Sequence, residues 1–104
     1  MANMESIRRF LTDTVKQRGI IVFMSNAERD AWLTVIHDAL QGHDVRYSHT
    51  AHQYFGVLGS TLLVFVYTGE HEARQRLRGC LFDRFWHEGD MPRHVGELVL
   101  ERCR

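Results

Sequence analysis

The stretch IIVFM at residues 20–24 is apolar at every position, and so is the stretch LLVFVY at residues 62–67. Continuous apolar runs of this length are typical of β-strands that are buried on both faces of a sheet. Two further segments, residues 44–47 and 97–101, alternate between polar and apolar side chains, as half-exposed strands do. Segments of helical period lie between the first and second strands and between the third and fourth. The order β-α-β-β-α-β predicts a ferredoxin-like split βαβ fold, an α+β architecture with a four-stranded antiparallel sheet.

Three helices are expected around this sheet. Residues 5–17 carry their apolar side chains on one stripe and predict an extra N-terminal helix. Ser25 and Glu28 have the spacing of a capping box, which predicts the start of the second helix. The third helix is expected to begin near Thr68 and to bury a long apolar stripe. That stripe consists of Ala73, Leu77, Cys80, Leu81 and Phe85.

The remainder of the chain completes one domain. Gly89 and Pro92 are expected to end the third helix, and residues 96–102 then form the last strand. The whole chain, residues 1–104, is interpreted as a single α+β domain whose βαββαβ core covers residues 19–103.

Composition indicates which classes of protein are disfavoured. The chain has 13 basic and 13 acidic residues. Its net charge of zero argues against nucleic-acid binding. Its two cysteines lack the spacing of a disulfide scaffold. No apolar run is long enough to cross a bilayer, and no secretory leader is visible at the start of the chain. We therefore expect a cytoplasmic protein that is not inserted in a membrane.

The central strands suggest an interaction surface. Alternation assigns Phe23, Phe65 and Tyr67 to one aromatic sheet face, opposite an aliphatic face that packs on the two crossover helices. A bare aromatic face would be a larger apolar patch than a monomer usually exposes. We expect the N-terminal helix, a second subunit or a partner molecule to cover it.

The third helix adds further candidates for this interface. Together with Phe85, Phe82 and Trp86 are more aromatic residues than one buried stripe of this helix can hold. Tryptophan and arginine are also enriched at binding hot spots. Arg74 and Arg78 share a helix face and complete the predicted interface residues. A salt-bridged surface is the alternative interpretation of this helix face, because Glu70 and Glu72 precede Arg74 and Arg76 by four residues.

Histidines form a second candidate site. His43, His49 and His52 lie within ten residues, beside Tyr47 and Tyr54. Imidazole is a common ligand of zinc and of other transition metals, so the segment could bind a metal or a small ligand. Solvated surface histidines are the simpler interpretation, and on that interpretation the protein needs no cofactor.

No arrangement of nucleophile, base or paired carboxylates marks an active site, which argues against an enzyme. The leading hypothesis is a small regulatory protein that acts by binding another protein, as a homodimer or as an inhibitor of a larger partner. The metal- or small-ligand-binding domain is the alternative. A weaker alternative is RNA binding through the aromatic sheet face, since RNA-recognition modules share this element order and stack bases there.

Overall fold

The computed structural model describes residues 4–13 and 16–103, and in these residues the chain forms four helices and five strands. In chain order they are α1 (Met4–Thr12), β1 (Arg18–Phe23), α2 (Asn26–Ala39), β2 (Arg46–Ser48), β3 (Gln53–Phe55), β4 (Thr61–Val66), α3 (Glu70–Leu77), β5 (Arg84–His87) and α4 (Arg93–Arg102). The N-terminal helix is present over Met4–Thr12. The predicted helix of residues 5–17 includes residues 14 and 15, which lie outside the described residues.

The five strands form one mixed sheet in the order β2-β3-β4-β1-β5. Strand β1 is parallel to both of its neighbours, β4 and β5, whereas β3 is antiparallel to its two neighbours, β2 and β4. The predicted four-stranded antiparallel ferredoxin-like sheet is therefore wrong. The two apolar stretches are adjacent buried strands as expected, but the strand on the far side of β1 is parallel to it and is formed by a different segment.

Helices cover both faces of the parallel part of the sheet. On one face, α1 and α2 pack on side chains of β1 and β4 and bury Ile7, Phe10 and Ile36. On the other face, α3 and α4 pack on the same two strands and bury Leu77, Val95, Leu98 and Val99. The core is thus divided by the sheet into two apolar layers. This arrangement explains why β1 and β4 are apolar at almost every position.

The register between β1 and β4 changes the predicted composition of the two faces. Phe23 lies opposite Val66, and Phe65 lies opposite Val22, so Phe23 and Phe65 point to different sides of the sheet. The predicted aromatic face of Phe23, Phe65 and Tyr67 does not form. A register offset of one residue transfers every side chain of a strand to the other face, and residue numbers alone do not reveal that offset.

Two segments in the C-terminal third adopt structures other than those expected. The third helix ends at Leu77, and Gly79 follows with a φ of 76°, a left-handed conformation that favours glycine and closes helices. Residues 84–87, expected to be helical, form β5. Residues 96–102, expected to be the last strand, belong to α4, which buries its apolar side chains at i, i+3 and i+4 spacing.

The capping box at the start of α2 is confirmed. The Ser25 hydroxyl accepts a hydrogen bond of 3.1 Å from the backbone N–H of Glu28, and the Glu28 carboxylate accepts one of 3.2 Å from the N–H of Met24. This fixes α2 directly after β1. Among the described helices, none has both the length and the apolar character needed to cross a membrane.

Candidate functional site

The predicted interface residues divide into buried aromatics and exposed arginines. Four of them lie in the two core layers: Phe23, Phe65, Phe82 and Trp86. Tyr67 is half-buried, and Arg74 and Arg78 are exposed. Arg74 donates a hydrogen bond of 3.2 Å to Glu70 on the same helix, as the salt-bridge interpretation expects.

Trp86 shows why these aromatics are not at the surface. Its ring meets Phe10 of α1 edge-on at a centroid distance of 5.2 Å, and its indole N–H donates to the Ser6 hydroxyl at 3.3 Å. On the opposite face, α3 and α4 cover Phe65 in the same way. The sheet therefore offers no bare aromatic face to a partner or to RNA bases. That these residues form a partner interface stays a prediction, without the exposed face that motivated it.

The predicted histidines do not all meet. His49 and His52 lie beside Tyr47, whose hydroxyl is 3.2 Å from Nδ1 of His52 and whose ring is 5.0 Å from that of His49. His43 is exposed and lies outside this group. The third imidazole comes instead from α2, where the ring of His37 meets Tyr47 edge-on at 5.2 Å.

We call the resulting group the imidazole cluster: His37, Tyr47, His49, His52 and Tyr54. Tyr47 is at its centre, since three of the other rings lie within about 5 Å of its own. Tyr47 and Tyr54 face each other across the β2–β3 pair with their ring centroids 4.6 Å apart. The cluster thus joins helix α2 to the β2–β3 hairpin.

A cavity of about 250 Å³ lies between α2 and this hairpin. Its helix side is formed by two rows of α2 residues, and its hairpin side by Tyr47, His49 and His52. The rows are Arg29, Leu33 and His37 at i, i+4 and i+8, and Asp30 and Thr34 at i and i+4. Arg29 donates two hydrogen bonds of 3.2 Å to the same oxygen of Asp30. The helix period therefore places a guanidinium and an imidazole on one wall.

His52 has the strained backbone of the site. Its φ of 49° makes it the one described non-glycine residue with a positive φ. Residues held in this region are enriched at ligand sites and need support from their surroundings. The hydrogen bond between its ring and Tyr47 supplies such support, and it directs the imidazole toward the cavity wall that Tyr47 also lines.

Burial and nearby charges shift the titration of the cluster. Burial lowers the pKa of His52, and the positive charges of Arg29 and Arg76 lower it further. Burial also raises the pKa of Tyr47, with Arg29 opposing this effect. The pKa of Tyr54 is raised strongly by its burial and, to a smaller extent, by Tyr47. At neutral pH we therefore expect a neutral His52 beside two protonated tyrosines.

The Tyr54 hydroxyl is buried, with 1% of the residue exposed, and it has no hydrogen-bond partner among the described residues. A buried hydroxyl without a partner destabilises the folded protein. Metal binding finds less support: within residues 4–13 and 16–103, no three histidine, cysteine or carboxylate side chains converge where one ion could be held. The predicted set of His43, His49 and His52 is not brought together.

A second, larger concavity of about 570 Å³ lies on the other side of the hairpin. It is lined by the edge strand β2 and by residues 55–57, and Phe55 and Val57 are 42% and 40% exposed beside it. None of the described helices packs on this face of the hairpin, because α3 and α4 pack on the parallel strands. The hairpin therefore has one face toward α2 and one toward solvent.

Sequence reasoning found His49, His52 and the two tyrosines but missed Arg29, Asp30 and His37. The spacing along α2 could have revealed them. Arg29 and His37 are eight residues apart and lie on one helix face, with Asp30 next to Arg29. Comparisons of the chain with models of known families, with curated proteins and with solved structures found no match. Function is therefore argued from the site alone.

Proposed function

We propose that this chain is a ligand-binding domain that holds a small molecule in the cavity between α2 and the β2–β3 hairpin. The observation that carries the proposal is the convergence of His37, His49 and His52 with Tyr47 around one concave space. Binding sites typically combine such a concavity with a few polar groups that orient the ligand.

The way in which the site is held also supports binding. Leu33 and Tyr47 line the cavity and at the same time pack against the core layer under α2. Functional side chains that are locked by packing keep their geometry better than side chains on free loops. The cavity walls therefore have a rigid base, while the imidazoles and Arg29 supply hydrogen-bonding groups at the surface.

A cavity-filling variant tests this proposal. Thr34 lines the cavity and is exposed, so Thr34→Phe should block it without disturbing the core. We expect fragment-sized probes to shift the amide NMR resonances of residues 29–37 and 47–54 in the parent protein, and to lose at least about tenfold in affinity in this variant. The matched control is Val35→Phe, which adds a ring at the next, solvent-facing position of α2.

The probes are inorganic phosphate, phenol and benzamidine, which represent an anion, a neutral ring and a cation. If none of them shifts these resonances, or if both phenylalanine variants behave alike, the cavity is not a binding site. A single responding probe that is blocked by Thr34→Phe alone supports the proposal.

Protein binding remains the second candidate, and a different surface favours it. Phe55, Val57 and Leu58 are 40–48% exposed beside the edge strand β2, whose outer side has no described strand next to it. Exposed edges of this kind pair with strands of other chains. A homodimer formed there should dissociate in Phe55→Lys, as measured by light scattering after size exclusion. A monomeric parent protein would contradict it.

A cytoplasmic location also remains part of the proposal. Cys80 is a free thiol. Free thiols are typical of proteins in reducing compartments. Expression of a fluorescent fusion in the source cell would test this location directly.

A further inference from the structure

The geometry points to a small oxyanion, of the size of inorganic phosphate, as the ligand of this cavity. Arg29 and the imidazoles of His37, His49 and His52 bind it. This inference rests on the proposed function and adds to it the chemical class of the ligand.

The Arg29 guanidinium places hydrogen-bond donors on the cavity wall. Arg29 has five N–H groups, and its two bonds to Asp30 use the Nε and Nη2 groups, so further donors of the guanidinium are available. The Thr34 hydroxyl already donates to the backbone carbonyl of Asp30 at 3.2 Å. Arginine is the side chain best suited to oxyanions, because its planar fork matches two of their oxygens.

The tautomer of His52 adds a donor in the same place. When the Tyr47 hydroxyl donates to Nδ1 of the neutral ring, the ring proton lies on Nε2. Nε2 is then a donor rather than an acceptor. When the ring is protonated, both nitrogens donate and the hydroxyl accepts instead. In both of these states His52 can donate one hydrogen bond to an acceptor in the cavity, whereas the neutral tautomer with its proton on Nδ1 donates to Tyr47 instead.

Charge around the cavity favours an anion, and increasingly so in mild acid. The charged and titratable groups that face His52 and its neighbours are Arg29, Asp30 and His37 of α2, Tyr47 of β2, His49, Tyr54 of β3 and Arg76 of α3. Asp30 is the one carboxylate among them, and it is already paired with Arg29. Protonation of His52 therefore adds positive charge that no further carboxylate of this group balances.

Size narrows the class of ligand. Pockets for drug-sized organic ligands usually measure roughly 300–1,000 Å³, and this cavity, at about 250 Å³, is below that range. A tetrahedral oxyanion with a few waters suits such a space better than a nucleotide or a larger cofactor. The oxyanion is either free or the terminal group of a larger molecule that extends into solvent.

Linkage gives the inference a signature that simple surface attraction lacks. Burial and Arg29 keep the pKa of His52 low in the free protein, and the negative charge of a bound anion counteracts that of Arg29 and favours the protonated ring. Binding should therefore take up protons. It should be roughly tenfold tighter near pH 6 than near pH 8 if about half a proton, on average, is linked over that interval.

Isothermal titration calorimetry with inorganic phosphate tests this directly. Titrations near pH 6 in two buffers of different ionisation enthalpy give the number of protons taken up. Phosphate itself changes ionisation in this pH range, so the same titrations with sulfate, whose charge is constant there, separate protons taken up by the protein from those taken up by the ligand. Arg29→Gln should reduce affinity by at least about tenfold. His52→Asn should abolish most of the pH dependence, and asparagine tolerates the left-handed backbone at this position.

Arg74→Gln is the matched control, since Arg74 also bonds a neighbouring carboxylate at 3.2 Å but lies on α3, away from the cavity. Phosphate affinity that is unchanged in Arg29→Gln, or lowered equally in Arg74→Gln, overturns the inference. So does binding without proton uptake. Circular dichroism establishes that each variant is folded before its phosphate affinity is compared with that of the parent protein.

Two further probes separate this inference from the proposed function. If phenol or benzamidine occupies the cavity and phosphate does not, the ligand-binding proposal stands and the oxyanion is overturned. If no probe binds, both fail. Phenyl phosphate distinguishes the two sources of the oxyanion: weaker binding than inorganic phosphate assigns a free ion, and stronger binding assigns the same chemistry to a group on a larger molecule.

Discussion

The parallel half of the sheet and its antiparallel hairpin end differ in almost every physical respect. Strands β4, β1 and β5 are covered by helices on both sides, and the central positions of β1 have at most 1% exposure. The β2–β3 hairpin is covered by α2 alone and has histidines, tyrosines and two concavities. Stability is thus concentrated in one region and recognisable chemistry in the other, and helix α2 contacts both.

The largest expected effect on the free energy of unfolding comes from truncating a core side chain in the parallel half. Phe23→Ala removes a fully buried ring from the layer under α1 and α2, and we expect a loss of about 3–5 kcal/mol in the free energy of unfolding. Urea denaturation measures it, with Val35→Ala, at a position 47% exposed, as the control. A loss below about 1 kcal/mol would show that the parallel half is not the stable core.

The two hairpin tyrosines should respond with opposite signs. Tyr54→Phe removes a buried hydroxyl without a described partner, so stability should stay unchanged or rise by up to about 1 kcal/mol. Tyr47→Phe removes the hydrogen bond to His52 and should cost about 0.5–1.5 kcal/mol. Both values come from urea denaturation of otherwise identical proteins. Equal losses in the two variants would indicate that the Tyr54 hydroxyl is satisfied in solution.

The smallest expected effect is a pH dependence that originates in the hairpin. The pKa of His52 is lower in the folded chain than in the unfolded chain, so the unfolded chain binds more protons between the two values. The free energy of unfolding is therefore at its full value above about pH 6.5, where His52 is neutral in both states. It decreases as the pH falls through that value toward the lowered pKa. His52→Asn should flatten this part of the stability profile, with His71→Asn on α3 as the control. An unchanged slope would place its origin elsewhere.

The two regions also differed in how far the sequence could predict them. The apolar composition of residues 20–24 and 62–67 predicted their burial, because a strand covered on both faces must be apolar throughout. The alternation at residues 97–101 was misleading, because Val95, Leu98 and Val99 also fit helical spacing and pack in the core as part of α4. Short apolar segments satisfy both periods, and tertiary packing selects one.

For the candidate site, the limit was distance along the chain. The hairpin histidines were visible as a local cluster, whereas their partners Arg29 and His37 lie on a helix that precedes them. Only the path of α2 across the sheet brings the two segments together. The exclusion of His43 likewise depends on where the chain turns: its carbonyl accepts a hydrogen bond from the N–H of Val45, two residues on, before β2 begins.

The central position of β1 has a consequence for how the chain is made. Strand β1 is synthesised before the other four strands of the sheet, yet both of its neighbours, β4 and β5, follow it by about forty residues or more. Until Thr61 and the residues after it have been synthesised, β1 has no strand to pair with and its apolar side chains have only α1 and α2 to pack on. Non-local parallel pairing of this kind is slow and leaves nascent strands open to aggregation. A chaperone that binds apolar segments should therefore engage the first half of this protein during translation and release it once β4 is available.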